Sequence, residues 1–203
     1  FPIIYYGILK AGAAVVPLSV LLKTDEIEYH LADSDAKAYF CFVGTPELPM
    51  AQMGYTAFNK VTTCEHFFMI MPKPTDASLI EGTTTLGSLM AGQSPVYETE
   101  QTSAEDTAVI IYTSGTTGRP KGAELSHTNL FTNAIMCVEM LDFRPTDTSL
   151  IVLPLFHIFA MTCMMNTSIT RGTHMILLPK FDADAVFGLM QKHYVTIFGG
   201  VPT

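Results

Sequence analysis

The apolar run Ala108-Val109-Ile110-Ile111-Tyr112 ends abruptly at Thr113-Ser114-Gly115-Thr116-Thr117-Gly118-Arg119-Pro120-Lys121-Gly122. A continuous β-branched and aromatic run that stops at a Gly-rich breaker predicts a short buried strand followed by a tight loop. Gly115, Gly118 and Gly122 tolerate φ > 0 and carry no Cβ, so backbone N–H groups there can come close to an anion. Thr113, Ser114, Thr116 and Thr117 add hydroxyl donors, and Arg119 and Lys121 add positive charge. Such a set is suited to phosphate oxygens. A Gly/Ser/Thr cluster is also what a plain surface turn contains.

Two common nucleotide templates are excluded. A P-loop needs Gly, four residues, then Gly-Lys-Ser/Thr, but the fifth residue past Gly115 is Pro120 and the fifth past Gly118 is Ala123. No G-x-G-x-x-G occurs either. Ala123-Glu124-Leu125 separates the loop from Ser126, a good N-cap for the next helix, which argues against a helix-dipole cradle. The loop is therefore expected to hold phosphate with its own amides and hydroxyls.

Helical and extended patterns alternate along the rest of the chain, which predicts a parallel, helix-covered sheet. Residues 1–10 read as the end of a buried helix and Ala13 to Pro17 as a short strand. Thr24 as N-cap with acids behind it predicts a helix over 25–32, and residues 38–43 read as the next strand. Residues 44–105 are punctuated by prolines; a strand near 67–71, a short helix near 86–91 and an acidic connector are expected there. Ser126 should cap a helix to about Leu141 with Phe131, Ile135, Val138 and Leu141 on its buried face. Strand 149–153, helix 158–170, strand 174–178, helix 182–193 and strand 196–198 complete the pattern. Two subdomains are expected, 1–105 and 106–203, with the loop, His157 and the segment after Phe198 at strand ends, where ligands of open α/β sheets sit.

Composition narrows the function classes. The formal net charge of −8 over 203 residues, with no basic cluster to offset it, argues against a nucleic-acid partner. An anionic substrate then needs a local positive site, which Arg119 and Lys121 supply. Hydrophobic residues make up 48% and mean hydropathy is +0.31; either surface normally covered by further sequence or a peripheral membrane face accounts for that. The four cysteines are widely spaced without C-x-x-C and read as reduced core residues of a cytoplasmic protein. The six histidines lack metal-binding spacing, so no protein-ligated metal is expected. The apolar run from Leu150 to Met165 contains Pro154 and His157 and is too short to span a membrane. Asn166-Thr167-Ser168 matches a glycosylation sequon to which little weight attaches.

From Tyr112 to Gly122 the string Tyr-Thr-Ser-Gly-Thr-Thr-Gly-Arg-Pro-Lys-Gly resembles the signature phosphate loop of the adenylate-forming superfamily. That group contains acyl-CoA synthetases, aryl-CoA ligases, beetle luciferases and the adenylation domains of nonribosomal peptide synthetases. The stretch from Gly7 to Leu18 is similar to the family's upstream helix–turn–strand element. Leu153-Pro154-Leu155-Phe156-His157-Ile158-Phe159 is similar to its segment lining the acyl and adenylate pocket.

The resemblance implies an α/β fold of the three-layer type, with mostly parallel sheets covered by helices, as part of the acyl-CoA synthetase-like N-terminal domain. It implies that a carboxylate attacks the α-phosphate of ATP to give an acyl-adenylate and pyrophosphate, and that coenzyme A then displaces AMP. Mg²⁺ would be held mainly through the ATP phosphates, since it keeps several waters and needs few protein ligands. Ser114, Thr116, Thr117 and Lys121 would hold the β/γ-phosphates, with Thr113 near them and Gly115, Gly118 and Gly122 letting the loop fold over. His157 would line the substrate pocket, although a lone His in an apolar run is also a common buried structural residue. Met161, Met164 and Met165 are core or a flexible wall for an alkyl chain.

A medium- to long-chain fatty acid is the expected substrate. An aryl-CoA ligase of the coumarate or benzoate type and a non-catalytic ATP-binding relative are the alternatives. The family's Tyr-Gly-x-Thr-Glu segment, its ribose-binding Asp and its C-terminal domain with a catalytic Lys are not found between Phe1 and Thr203. The chain is accordingly expected to be an inactive internal piece of a larger enzyme, without catalytic residues of its own.

Overall fold

The computed structural model describes residues 1–113 and 118–201. In chain order it contains α1 (Pro2–Lys10), α2 (Thr24–Asp33), β1 (Ala38–Phe42), α3 (Met50–Phe58), β2 (His66–Ile70), the two-residue β3 (Thr84–Thr85) and α4 (Leu86–Met90). Then come β4 (Thr107–Thr113), β5 (Lys121–Ser126), α5 (His127–Met140), β6 (Thr148–Ile151), a π-helix (Ala160–Asn166) running into α6 (Thr167–Arg171), β7 (His174–Leu177), α7 (Ala183–His193) and β8 (Ile197–Gly199). Strands β1-β2-β3 and β7-β6-β8 pair in parallel, as the alternating pattern predicts, whereas β4 and β5 form an antiparallel pair.

Two compact units result, Phe1–Pro17 with Thr99–Thr203, and Leu18–Glu98. This differs from the expected partition at residue 105, because the first 17 residues join the later unit. Val15 donates to Ala108 O at 2.8 Å and accepts from Ile110 N at 2.9 Å, while Glu100 N donates to Lys10 O at 2.9 Å. The stretch expected as a strand at 13–17 therefore survives as a single parallel bridge to Val109.

In the unit Leu18–Glu98, alternation along β1 and β2 turns Tyr39, Cys41, Phe67 and Met69 to one face, under α3. Helix α3 was not legible in the sequence, since Gly54 interrupts it. That glycine is a packing requirement: a Cβ there would lie 2.7 Å from Cys41 Sγ and 3.0 Å from the Tyr39 ring.

In the other unit, β6 is covered on both faces, which gives the three-layer arrangement. Ile151 points into a cluster with Ala108, Val109, Met161, Met164 and Met165. Leu150 and Val152 point the opposite way, to Val186 of α7. Ser126 caps α5 as predicted, accepting from Asn129 N at 3.2 Å, while Asn129 Oδ1 accepts from Ser126 N at 2.9 Å. Ser126→Ala is expected to cost about 1 kcal/mol of stability, read as a lower urea midpoint at unchanged slope. The buried face of α5 is Leu130, Ala134 and Cys137, one residue out of phase with the expected one, and Phe131 is 64% exposed. Among the described residues no helix is long and apolar enough to cross a membrane.

Candidate functional site

β4 is held from both sides, by the Val15 bridge and by β5, which explains why Ala108 and Val109 are fully buried. Its last residues run out of that core, and Thr113 is exposed. β5 was not expected, because Lys121-Gly122-Ala123-Glu124 has no apolar alternation; backbone pairing with β4 makes it a strand. The register sets Thr113 opposite Lys121, Tyr112 opposite Gly122 and Ile111 opposite Ala123. The predicted loop therefore leaves β4 at Thr113 and returns at Lys121. Ser114, Gly115, Thr116 and Thr117 lie outside the described residues.

Gly118 has φ +118° with open space around it, a conformation that side chains rarely adopt. Gly122 serves a different purpose from the loop-folding expected of it. A Cβ there would approach Ile110 Cγ2 to 2.8 Å and the Tyr112 ring to 3.3 Å, so its bareness lets the cross-strand tyrosine lie flat. Arg119 and Lys121 are both exposed. The nearby carboxylate of Glu124 is engaged at the other end of the hairpin, where it accepts from Thr107 Oγ1 at 2.7 Å. Among the described residues Lys121 enters no ion pair. Two cations and the Thr113 hydroxyl thus stand at the mouth of the hairpin, a fit for an anion with several oxygens.

The second predicted feature sits past the carboxyl end of β6. Ile151, Leu177 and Gly199 are in register, so the parallel strands β6, β7 and β8 end at one edge of their sheet. Residues 152–159 leave from that edge; His157 N donates to Pro154 O and His157 O accepts from Met161 N, each at 3.0 Å. The His157 side chain is exposed, which removes the reading of a packed core histidine. Gly199 is filled from beneath: a Cβ would meet Met164 Sδ at 2.7 Å. Met161, Met164 and Met165 are buried.

The expected α-helix over 158–170 is wound as a π-helix through Ala160–Asn166 before α6. Thr167 Oγ1 donates to Thr162 O five residues back, at 3.1 Å, which matches the wider turn. Asn166 accepts from Tyr6 Oη at 2.8 Å and donates to Tyr5 Oη at 3.3 Å, tying α1 to this segment. Burial raises the titration of Tyr5 against the opposing Asn166 bond, and burial followed by the neighbouring Tyr5 raises that of Tyr6, so both phenols stay protonated, Tyr6 donating to Asn166 and Tyr5 accepting from it. This polar knot was missed in the sequence, although Asn-Thr-Ser inside an apolar run is its trace. Its burial also closes the sequon, since Asn166 is 6% exposed.

Two depressions of about 510 and 240 Å³ both lie in the unit Leu18–Glu98, one between Pro74 and Ala91 and the other beside Tyr55 and Phe67. Neither contains a predicted site residue. No group of three His, Cys, Asp or Glu side chains among the described residues is gathered to hold a metal.

The sequence profile of a family described as AMP-binding enzyme matches residues 1–203. A long-chain-fatty-acid–CoA ligase of Bacillus subtilis (strain 168) is 32% identical over 98% of this chain and 39% of its own length. A feruloyl-CoA synthase of Amycolatopsis sp is 31% identical over 96% of this chain and 34% of its own. The crystal structure of ATP-bound MatB from Rhodopseudomonas palustris superposes with a TM-score of 0.79 at 30% identity, over 98% of this chain and 36% of that one. The chain spans well under half the length of these relatives.

Proposed function

We propose, because the chain belongs to the family of AMP-binding enzymes, that the protein activates a carboxylic acid with ATP and passes the acyl group to coenzyme A. The carboxylate oxygen attacks the α-phosphorus of ATP, pyrophosphate leaves, and the thiol of coenzyme A then displaces AMP from the acyl-adenylate. The pairing of Thr113 with Lys121 across the mouth of an exposed hairpin carries this reading. Two anions that repel each other must be brought together and the charge on the leaving pyrophosphate balanced. Lys121 and Arg119 supply that charge, and the hydroxyls of Thr113, Ser114, Thr116 and Thr117 donate to the β- and γ-phosphate oxygens. Gly115 and Gly118 let the backbone of the loop approach them. Mg²⁺ would bind through the phosphates rather than through protein ligands.

His157 lines the acyl pocket at the carboxyl edge of β6, β7 and β8 in this reading, above the buried methionines. A medium- to long-chain fatty acid is the favoured substrate, supported by the fatty-acid ligase relative and by the apolar segment around His157. A ferulate-type aromatic acid is the second reading, because a relative named for it matches at nearly the same identity.

Carboxylate-dependent exchange of labelled pyrophosphate into ATP tests the proposal, on the protein at its natural length with fatty acids, cinnamates, benzoates and amino acids. Exchange peaking with fatty acids is the expected outcome. A peak with cinnamates or benzoates moves the substrate to the aryl class. No exchange with any acid, while ATP still binds, overturns the reading in favour of a non-catalytic ATP-binding protein.

A further inference from the structure

The segment that carries His157 is bonded turn by turn to the π-helix behind it. His157 O accepts from Met161 N at 3.0 Å, the four-residue spacing of an α turn. Thr162 Oγ1 donates to Ile158 O at 2.8 Å, and Thr162 O accepts from Thr167 Oγ1, so the winding widens only across Ala160–Asn166. A π turn takes in one residue more than an α turn, and such turns gather at functional sites. Thr162, Asn166, Thr167 and Ser168 are all buried, and Ser168 Oγ meets Ser149 Oγ of β6 at 3.0 Å. Asn166 ends the wide turn and ties it to α1: its amide accepts from Tyr6 and donates to Tyr5, 160 and 161 positions away in sequence. Between those anchors Met164 lies against Gly199, the last residue of β8. Rewinding this stretch as a plain α-helix would turn His157 by about 100° relative to α6, the step of one residue. It would also lift Met164 from Gly199.

We propose that Asn166 is a positioning residue for the carboxylic acid. Clasped between Tyr5 and Tyr6, it holds Ala160–Asn166 in the π winding that sets His157 and Met164 at the carboxyl edge of β6, β7 and β8. It acts through that winding and touches no substrate. The proposal rests on the adenylation reading for the identity of the ligand at that edge. Lys121 and Thr113 are set by the β4–β5 register instead, so ATP should not feel the change.

The test reads pyrophosphate exchange on the protein at its natural length, against the concentration of the best acid and, separately, of ATP, with a urea melt of each preparation. Asn166→Leu is expected to raise KM for the acid about 3- to 30-fold, the range for residues that act on a site without contacting its ligand. The KM for ATP and kcat should stay as they are, the pattern of lost acid binding. The urea midpoint should fall as well, because two buried phenols lose their partner. Replacing all three groups, in Tyr5→Phe/Tyr6→Phe/Asn166→Leu, removes every unmatched polar atom and should return the midpoint toward the parent's. The KM for the acid should stay raised, since nothing restores the clasp. Should Asn166→Leu fail to fold, the triple variant makes the comparison with the parent by itself. The proposal is overturned if KM for the acid recovers along with the midpoint, if acid and ATP constants move together, or if neither variant changes KM for the acid. A parent that binds ATP but exchanges with no acid overturns the adenylation reading. The affinities of parent and triple variant for decanoate, measured by calorimetry, then decide: weaker binding by the variant sustains the positioning role, and equal or undetectable binding by both ends it.

Discussion

Lys121→Met is expected to slow carboxylate-dependent pyrophosphate exchange by about 10²–10³-fold, the size seen when one preorganised donor to developing charge is removed. Lys121 stands at the first position of β5, exposed and held by backbone pairing with Thr113 rather than by its side chain. Folding should therefore be almost untouched, within about 0.5 kcal/mol, as for other surface substitutions. The measurement pairs the exchange rate with a urea melt of the same preparation. Lys121→Arg should recover only part of the rate, because a planar fork replaces a mobile point charge. An exchange rate for Lys121→Met close to that of the parent, with folding intact, removes Lys121 from the phosphate site.

The largest loss of stability is expected at the opposite extreme of exposure. Leu150 is fully buried at the centre of β6, paired with Ile176 on one side and Phe198 on the other, and packed with Val152 and Val186. Truncation to Ala removes buried methyl groups and leaves a cavity that flanking strands cannot close, at a cost of about 2–5 kcal/mol. Set against a typical total of about 5–15 kcal/mol, that is a large fraction. The urea midpoint should fall steeply with an unchanged slope. Phe187→Ala, on the same unit but 68% exposed, is the contrast and should move the midpoint little. Equal losses for the two would mean that β6 is not sandwiched between the π-helix and α7.

Strands of continuous apolar character were legible because burial on both faces leaves no room for polar residues: β4 and β6 fell within a residue or two of their expected positions. The cap at Ser126 was legible because its chemistry is local, whereas Thr24, expected as a cap, is the first residue of α2 and Lys23 stands at the N-cap, its backbone N–H bonded to Glu26. The cap at Asp182, whose carboxylate accepts from Ala185 N, was not foreseen. β5 was not, since Lys121-Gly122-Ala123-Glu124 becomes extended only through its neighbour. The buried face of α5 was misplaced by large apolar residues such as Phe131, which hydrophobicity alone would turn inward. The π-helix left no periodic signal: Thr167 bonds locally to Thr162 O, five residues back, and only Asn166 reaches a distant partner, Tyr6. Of the proposed phosphate site, the residue types stood in the sequence, while the opposition of Thr113 and Lys121 required the register of a hairpin.

The joining of Phe1–Pro17 to Thr99–Thr203 imposes an order on synthesis. Val15 has no strand to pair with until Val109 has left the ribosome, roughly 90 residues later, which at about 5–20 residues per second is on the order of 5–20 s. Throughout that interval Tyr5 and Tyr6 lack their Asn166 partner as well, and the early segment is apolar chain without a home. Leu18–Glu98, whose strands and helices are neighbours in sequence, has everything it needs much sooner. The nascent chain thus carries a finished Leu18–Glu98 unit while Phe1–Pro17 still waits for its partners, which gives a chaperone a long interval in which to bind that segment.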